Sequence, residues 1–61
     1  MKTYRFLKDG FEDWRGSAYD VEQAEDKAFF HECPGELERY TLQVWTGKKW
    51  RTIYQDACLA A

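Results

Sequence analysis

SAYDVEQAEDKAFFHECPG, from Ser17 to Gly35, is the stretch in which the spacing of apolar residues changes from that of a strand to that of a helix. Asp20 stands where an N-cap is needed, and Gln23 three positions on completes a capping box. Tyr19 and Ala24 occupy the places of a hydrophobic staple, and Glu22 favours the positive end of the helix dipole. At about 100° per residue, Val21, Ala24 and Ala28 fall on one narrow stripe, flanked by Phe29 on one side and His31 on the other. Phe30 points nearly opposite that stripe. Pro34 cannot continue a helix and disfavours α geometry at Cys33, so the spacing predicts a helix from Val21 to Glu32. Its alanines allow a close approach to a sheet.

The segments on either side alternate with the period of a strand. TYRFLK (Thr3 to Lys8) sets Tyr4 and Phe6 against Thr3, Arg5 and Leu7. Asp9 and Gly10 then form a type I′ hairpin signal, because both tolerate the positive φ that this turn demands. Phe11 to Gly16 reads as the returning strand, made less regular by its acids. Beyond the helix, ELERYTLQVW alternates clearly, with Tyr40, Leu42 and Val44 against Thr41, Gln43 and Trp45, and KWRTIYQ returns after a turn around Gly47. The tail DACLAA has no pattern long enough to assign an element, and Leu59 in it could cover an edge of the core. The expected fold class is therefore α+β in ββαββ order, a single small domain over 1–61 with one α-helix packed on one face of an antiparallel β-sheet. One helix covers one sheet face, which leaves the other to water, a partner or a ligand.

Which residues occupy that open face depends on the Gly47 loop. A two-residue loop of Gly47 and Lys48 sets Trp45 opposite Trp50 and Leu42 opposite Ile53. A three-residue loop with a glycine bulge instead pairs Val44 with Trp50, and it segregates apolar from polar side chains better. Since a one-residue slip exchanges every face, the second register is expected, with Trp50 in the core and Trp45 beside Gln43, Lys49 and Arg51 on the open face.

Composition limits the alternatives. The 61 residues carry eleven acids against nine bases, a net charge of -2. That balance lacks the basic field of a protein that grips nucleic acid through phosphates. A chain so short buries only about 60% of its unfolded surface, so stability must come from dense packing, here from three Trp, four Tyr and four Phe. No apolar run approaches the ~18 residues that span a membrane, and MKTYRFLKDG has no apolar signal-peptide core, so a cytoplasmic protein is expected. A Cys33–Cys58 bridge would close a loop of about 25 residues and stabilise by on the order of 3 kcal/mol. Without a secretory signal, reduced thiols are expected instead.

No catalytic or cofactor motif is present. His31, Cys33 and Cys58 are the conventional soft metal ligands, but they lack CxxC spacing and fall short of the four ligands of a closed zinc site. No metal and no cofactor is expected. As a Cys–His nucleophile pair, His31 and Cys33 would point about 200° apart on a helix, with nothing to activate the thiol. The acids Glu22, Glu25, Asp26, Glu32, Glu36 and Glu38 cluster from the helix to the third strand; a solvated face is their ordinary role, and docking on a basic surface the functional one. A fold this small with one helix offers no cleft in which to desolvate a general acid.

The expectation is a non-enzymatic protein-interaction module, an inhibitor or adaptor, that contacts another protein or a second copy of itself through Gln43, Trp45, Lys49, Arg51 and Ile53. The competing expectation is a nucleic-acid-binding hairpin using Trp45, Lys48, Lys49 and Arg51, as single-strand binders combine aromatic and basic side chains. The ordinary alternative to both is that Trp45 packs on Ile53 and on the aliphatic stems of its neighbours as a minor second core. In size, aromatic density and lack of a cleft the chain resembles the small accessory proteins of phages and mobile elements, although no motif carries that resemblance.

Overall fold

In the computed structural model, residues 1–30 and 33–60 are described. The elements follow the expected order: β1 (Lys2–Lys8), β2 (Phe11–Ala18), α1 (Val21–Ala28), β3 (Tyr40–Trp45) and β4 (Trp50–Ala57). All neighbouring strands are antiparallel and the sheet order is β2-β1-β3-β4. The two hairpins thus meet along β1 and β3, and β2 and β4 form the edges.

The β1–β2 hairpin turns through Asp9 (φ 52°) and Gly10 (φ 82°), both in the left-handed region that a type I′ turn requires. β2 runs to Ala18, beyond the expected end at Gly16, because Ser17 and Ala18 still pair with Thr3 and Lys2. Its acids leave a mark: Phe6 pairs with Trp14 but Leu7 with Glu12, so Asp13 is the extra residue of a β-bulge. At Gly16 the Trp14 indole lies over the bare backbone; a Cβ there would meet Trp14 Cζ2 at 2.6 Å. An aromatic side chain covering a glycine in an edge strand restores packing that the missing side chain forfeits.

Tyr4, Phe6, Ala18, Ala24, Tyr40, Leu42 and Val44 form the buried core, with Trp14, Val21, Ala28, Phe29, Tyr54 and Leu59 packed around it. Phe6 and Leu42 are wholly buried, which contributes roughly 1.5–3 kcal/mol apiece. Phe6 is the hub: its ring meets those of Trp14, Phe29, Tyr40 and Tyr54 at centroid distances of 6.1, 5.0, 6.1 and 6.5 Å. Leu59, in the tail, is partly buried against the core.

The helix begins where Asp20 caps it, accepting from the Gln23 N–H at 2.8 Å. The reciprocal bond is displaced by one residue, since Gln23 Oε1 accepts from the Tyr19 N–H at 2.7 Å. Tyr19 itself is 69% exposed and does not act as a staple over Ala24. Val21, Ala24 and Ala28 face the core as expected, but α1 stops at Ala28 rather than Glu32. Phe29 leaves helical geometry (φ -109°, ψ 20°) while its N–H still reaches Glu25 O, and its ring inserts against Phe6 and Tyr40. The contact of that ring with Phe6 and Tyr40 takes Phe29 out of the helix, and Phe30 does not resume it. His31 and Glu32 lie outside the described residues, as does Ala61.

The chain from 33 to 39 is held by Glu38. Its carboxylate accepts from Lys8 Nζ at 2.6 Å, from the Gly35 N–H at 2.9 Å and from the Tyr40 hydroxyl at 3.0 Å. These donors, Lys8 foremost, hold the Glu38 carboxyl down at about 2. The bond to Glu38 correspondingly raises Lys8, while burial and then the same carboxylate raise the Tyr40 phenol.

The β3–β4 register corrects the three-residue-loop expectation. Trp45 pairs with Trp50, Val44 with Arg51 and Gln43 with Thr52, across a two-residue Gly47–Lys48 loop closed by Thr46 N–H donating to Lys49 O. The apolar pattern is rescued further along. Leu42 pairs with Tyr54, which makes Ile53 the extra residue of a bulge, and a second irregularity before Tyr40–Ala57 coincides with Asp56 at φ 51°. The bulge lets both demands be met: the tryptophans pair near the turn, and Tyr54 returns to the core side.

Candidate functional site

The core lies wholly on the side of the sheet that α1 covers, so the alternate residues of each strand form a helix-free face. Two cross-strand rows define its centre. One row contains Ser17 and Thr3 with Trp45 and Trp50; the other runs Arg15, Arg5, Gln43, Thr52 across all four strands. Alternation in β1 already separates Thr3 and Arg5 from the buried Tyr4 and Phe6, and the strand order then brings them beside the tryptophans.

Trp45 and Trp50 make an edge-on pair with centroids 5.3 Å apart and planes at 61°, and Trp45 remains 41% exposed. Such pairs contribute about 0.5–1.5 kcal/mol beyond the area they bury. The Arg5 guanidinium carbon lies 4.2 Å from the Trp50 ring centroid, and that of Arg15 lies 5.6 Å from it. Both are within range of a cation–π attraction. Arg5 Nε donates to Gln43 Oε1 at 2.7 Å, and Gln43 Nε2 donates to Thr52 Oγ1 at 3.1 Å, so the second row is joined by hydrogen bonds from β1 to β4. Arg15 is neutralised locally: Glu12 Oε1 accepts from its Nε at 2.8 Å and lies 2.7 Å from its Nη2. Thr3, Arg15, Trp45 and Trp50 enclose a shallow depression of about 300 Å³.

This placement revises the sequence-based site. Trp45 and Gln43 lie on the helix-free face as expected. Trp50, expected in the core, lies there too, because the two-residue loop sets it opposite Trp45. Arg51 pairs with Val44 and therefore belongs to the opposite face; Lys49 precedes β4, in the turn. Lys48 is at the loop tip, and Ile53 is the bulged residue, 36% exposed. Trp45 packs edge-on against Trp50. Sequence reasoning missed Arg5 and Arg15 because their contact with Trp50 crosses intervening strands, a relation set by strand order.

The remaining candidates separate in space. Cys33 and Cys58 are exposed free thiols, and Cys58 Sγ donates to Glu36 O at 3.3 Å. His31 is outside the described residues, and among those described no three His, Cys, Asp or Glu side chains converge as metal ligands. Two acids of the expected acidic cluster have structural roles: Glu38 as above, and Glu25, whose Oε2 accepts from the Tyr54 hydroxyl at 2.7 Å. Burial, and then this bond, push the Tyr54 phenol well above its usual range. Among the described residues no helix is long and apolar enough to cross a membrane.

Comparison with protein-family models, with curated proteins and with solved structures found no match to this chain.

Proposed function

We propose that the chain is a non-enzymatic interaction module that binds another protein through its helix-free sheet face, centred on Trp45 and Trp50. The indole pair, with Trp45 exposed, Trp50 half-buried and the Arg5 guanidinium over Trp50, carries this reading, because Trp, Tyr and Arg dominate the energetics of protein interfaces. The ring pair and the hydrogen-bonded row beside it hold these side chains in place before a partner arrives, which reduces the ordering cost of binding.

Approach is face-on rather than by strand addition. Both edge strands carry bulges, at Asp13 in β2 and at Ile53 and before Ala57 in β4, and bulges spoil an edge as a template for another strand. The competing nucleic-acid reading has less support, since Arg51 pairs with Val44 and so does not share the face of the Trp45–Trp50 pair. It predicts affinity that falls steeply with salt.

Affinity capture from the source cell with the wild-type chain and with Trp45→Ala and Trp50→Ala variants tests the proposal. A specific protein retained by the wild type and lost with either variant is expected. If the bound partner leaves the indole NMR signals of Trp45 and Trp50 unmoved, the site is wrongly assigned.

A further inference from the structure

The helix-free face distributes its charge unevenly. Its two central rows contain Arg5 and Arg15 and no acid, and Glu12 reaches in only to pair with Arg15. Asp13, the bulged neighbour, has no partner in either row. Arg5 is half-buried, with its Nε occupied by Gln43 and its plane against Trp50. Among the described residues neither of its terminal nitrogens has a carboxylate partner. A guanidinium held over an indole and by one Nε–H bond, with terminal N–H groups that have no carboxylate partner, can supply half of a bidentate carboxylate clamp.

We infer that the partner of this face is an acidic protein segment, which presents a carboxylate to the terminal nitrogens of Arg5 and an apolar side chain to the depression between Thr3, Arg15, Trp45 and Trp50. The inference rests on the protein-binding reading above and adds the partner's chemistry to it. A second copy of the chain fits poorly as the occupant, because its own helix-free face brings another Arg5 and, in the two central rows, no carboxylate to receive it. Although the chain as a whole is acidic, Glu25 and Glu38 bond to Tyr54 and Lys8 on the core side, away from these rows, so an acidic partner meets the basic face.

The test is an NMR titration of the full chain with three probes: a short capped peptide of alternating glutamate and leucine, its glutamine–leucine counterpart, and oligothymidylate. The glutamate peptide is expected to shift the Trp45 and Trp50 indole signals and the Arg5 Nε–H, and to bind about tenfold tighter than the glutamine peptide, the factor that one charge-assisted pair supplies. Arg5→Gln should abolish that preference, and Arg5→Lys, which keeps the charge and loses the fork, should reduce it severalfold; the wild-type comparison of the two peptides stands even if a variant fails to fold. Equal binding of the two peptides at the indoles overturns the acidic partner while leaving the docking face intact. Glutamate-peptide shifts confined to Lys48, Lys49 and Arg51, or no indole shift with any probe, also overturn it, and the capture experiment then decides the docking face separately. Tighter binding of oligothymidylate than of the glutamate peptide overturns both.

Discussion

Leu42 pairs with Tyr54 and not with Ile53, although two pairs nearer the turn Val44 faces Arg51 in unbroken register with Trp45–Trp50. Ile53 is therefore the residue that reconciles an aromatic pair on one face with Tyr54 on the other. Deleting Ile53 should leave a regular ladder from Trp45–Trp50 to Leu42–Tyr54, with both faces unchanged. The deletion variant is expected to fold, with stability within ~1 kcal/mol of the parent, and cross-strand contacts of Trp45–Trp50 and Leu42–Tyr54 in its NOE spectra are the check. Loss of either set would refute the bulge as the device that joins the two registers.

Trp50 belongs to a surface pair, so its removal should be mild compared with that of a core ring. Trp50→Ala is expected to destabilise by about 1–2 kcal/mol, through loss of the indole pair and of its contact with Arg5, and Trp45→Ala by about 0.5–1.5 kcal/mol. A buried aromatic truncated to alanine costs about 3–5 kcal/mol, the value expected of Phe6→Ala. Urea denaturation of the three variants separates these cases.

Gly16 is covered by Trp14, and the added methyl of Gly16→Ala would have to displace the indole from its 2.6 Å approach. A loss of about 1–3 kcal/mol is expected, with a change in Trp14 fluorescence reporting the displaced ring. Gly16→Ala combined with Trp14→Leu should lose less than the sum of the two single changes, because one substitution relieves the clash made by the other.

Glu38 titrates at about 2 in the folded chain against an ordinary value of 4.5. A depressed carboxyl contributes stability that is present above its unfolded pKa and is lost as pH falls through its folded one. Stability should thus decline between about pH 4.5 and pH 2, and Glu38→Gln should flatten that limb while lowering the plateau above it. Denaturation midpoints measured across this range provide the comparison.

Tyr54 has the opposite sign. Burial and then the bond to Glu25 raise its phenol, so its contribution is complete below the ordinary tyrosine value of 10.0 and declines as pH rises beyond it. Tyr54→Phe is expected to reduce stability at neutral pH by about 0.5–1.5 kcal/mol, the worth of one hydrogen bond, and to soften the alkaline decline. Tyrosinate absorbance followed together with circular dichroism tests both parts.

Local chemistry was enough to determine the ββαββ order. The alternation of Tyr4 and Phe6 and of Tyr40, Leu42 and Val44, the Asp9–Gly10 turn, the Asp20 cap and the helix stripe Val21–Ala24–Ala28 are all set by side chains within a few residues of one another. Three features were decided only by the tertiary structure. The helix ends at Ala28 because Phe29 finds Phe6 and Tyr40, which belong to other strands. The β3–β4 hairpin keeps its short loop because a bulge at Ile53 absorbs the mismatch, an option invisible to a pattern that assumes continuous alternation. Arg5 reaches Trp50 because the order β2-β1-β3-β4 folds one hairpin against the other. Each depends on contacts between residues far apart in the chain, whose energies enter only after the sheet has formed, so periodicity can place a residue on a strand without revealing which distant partner it will meet.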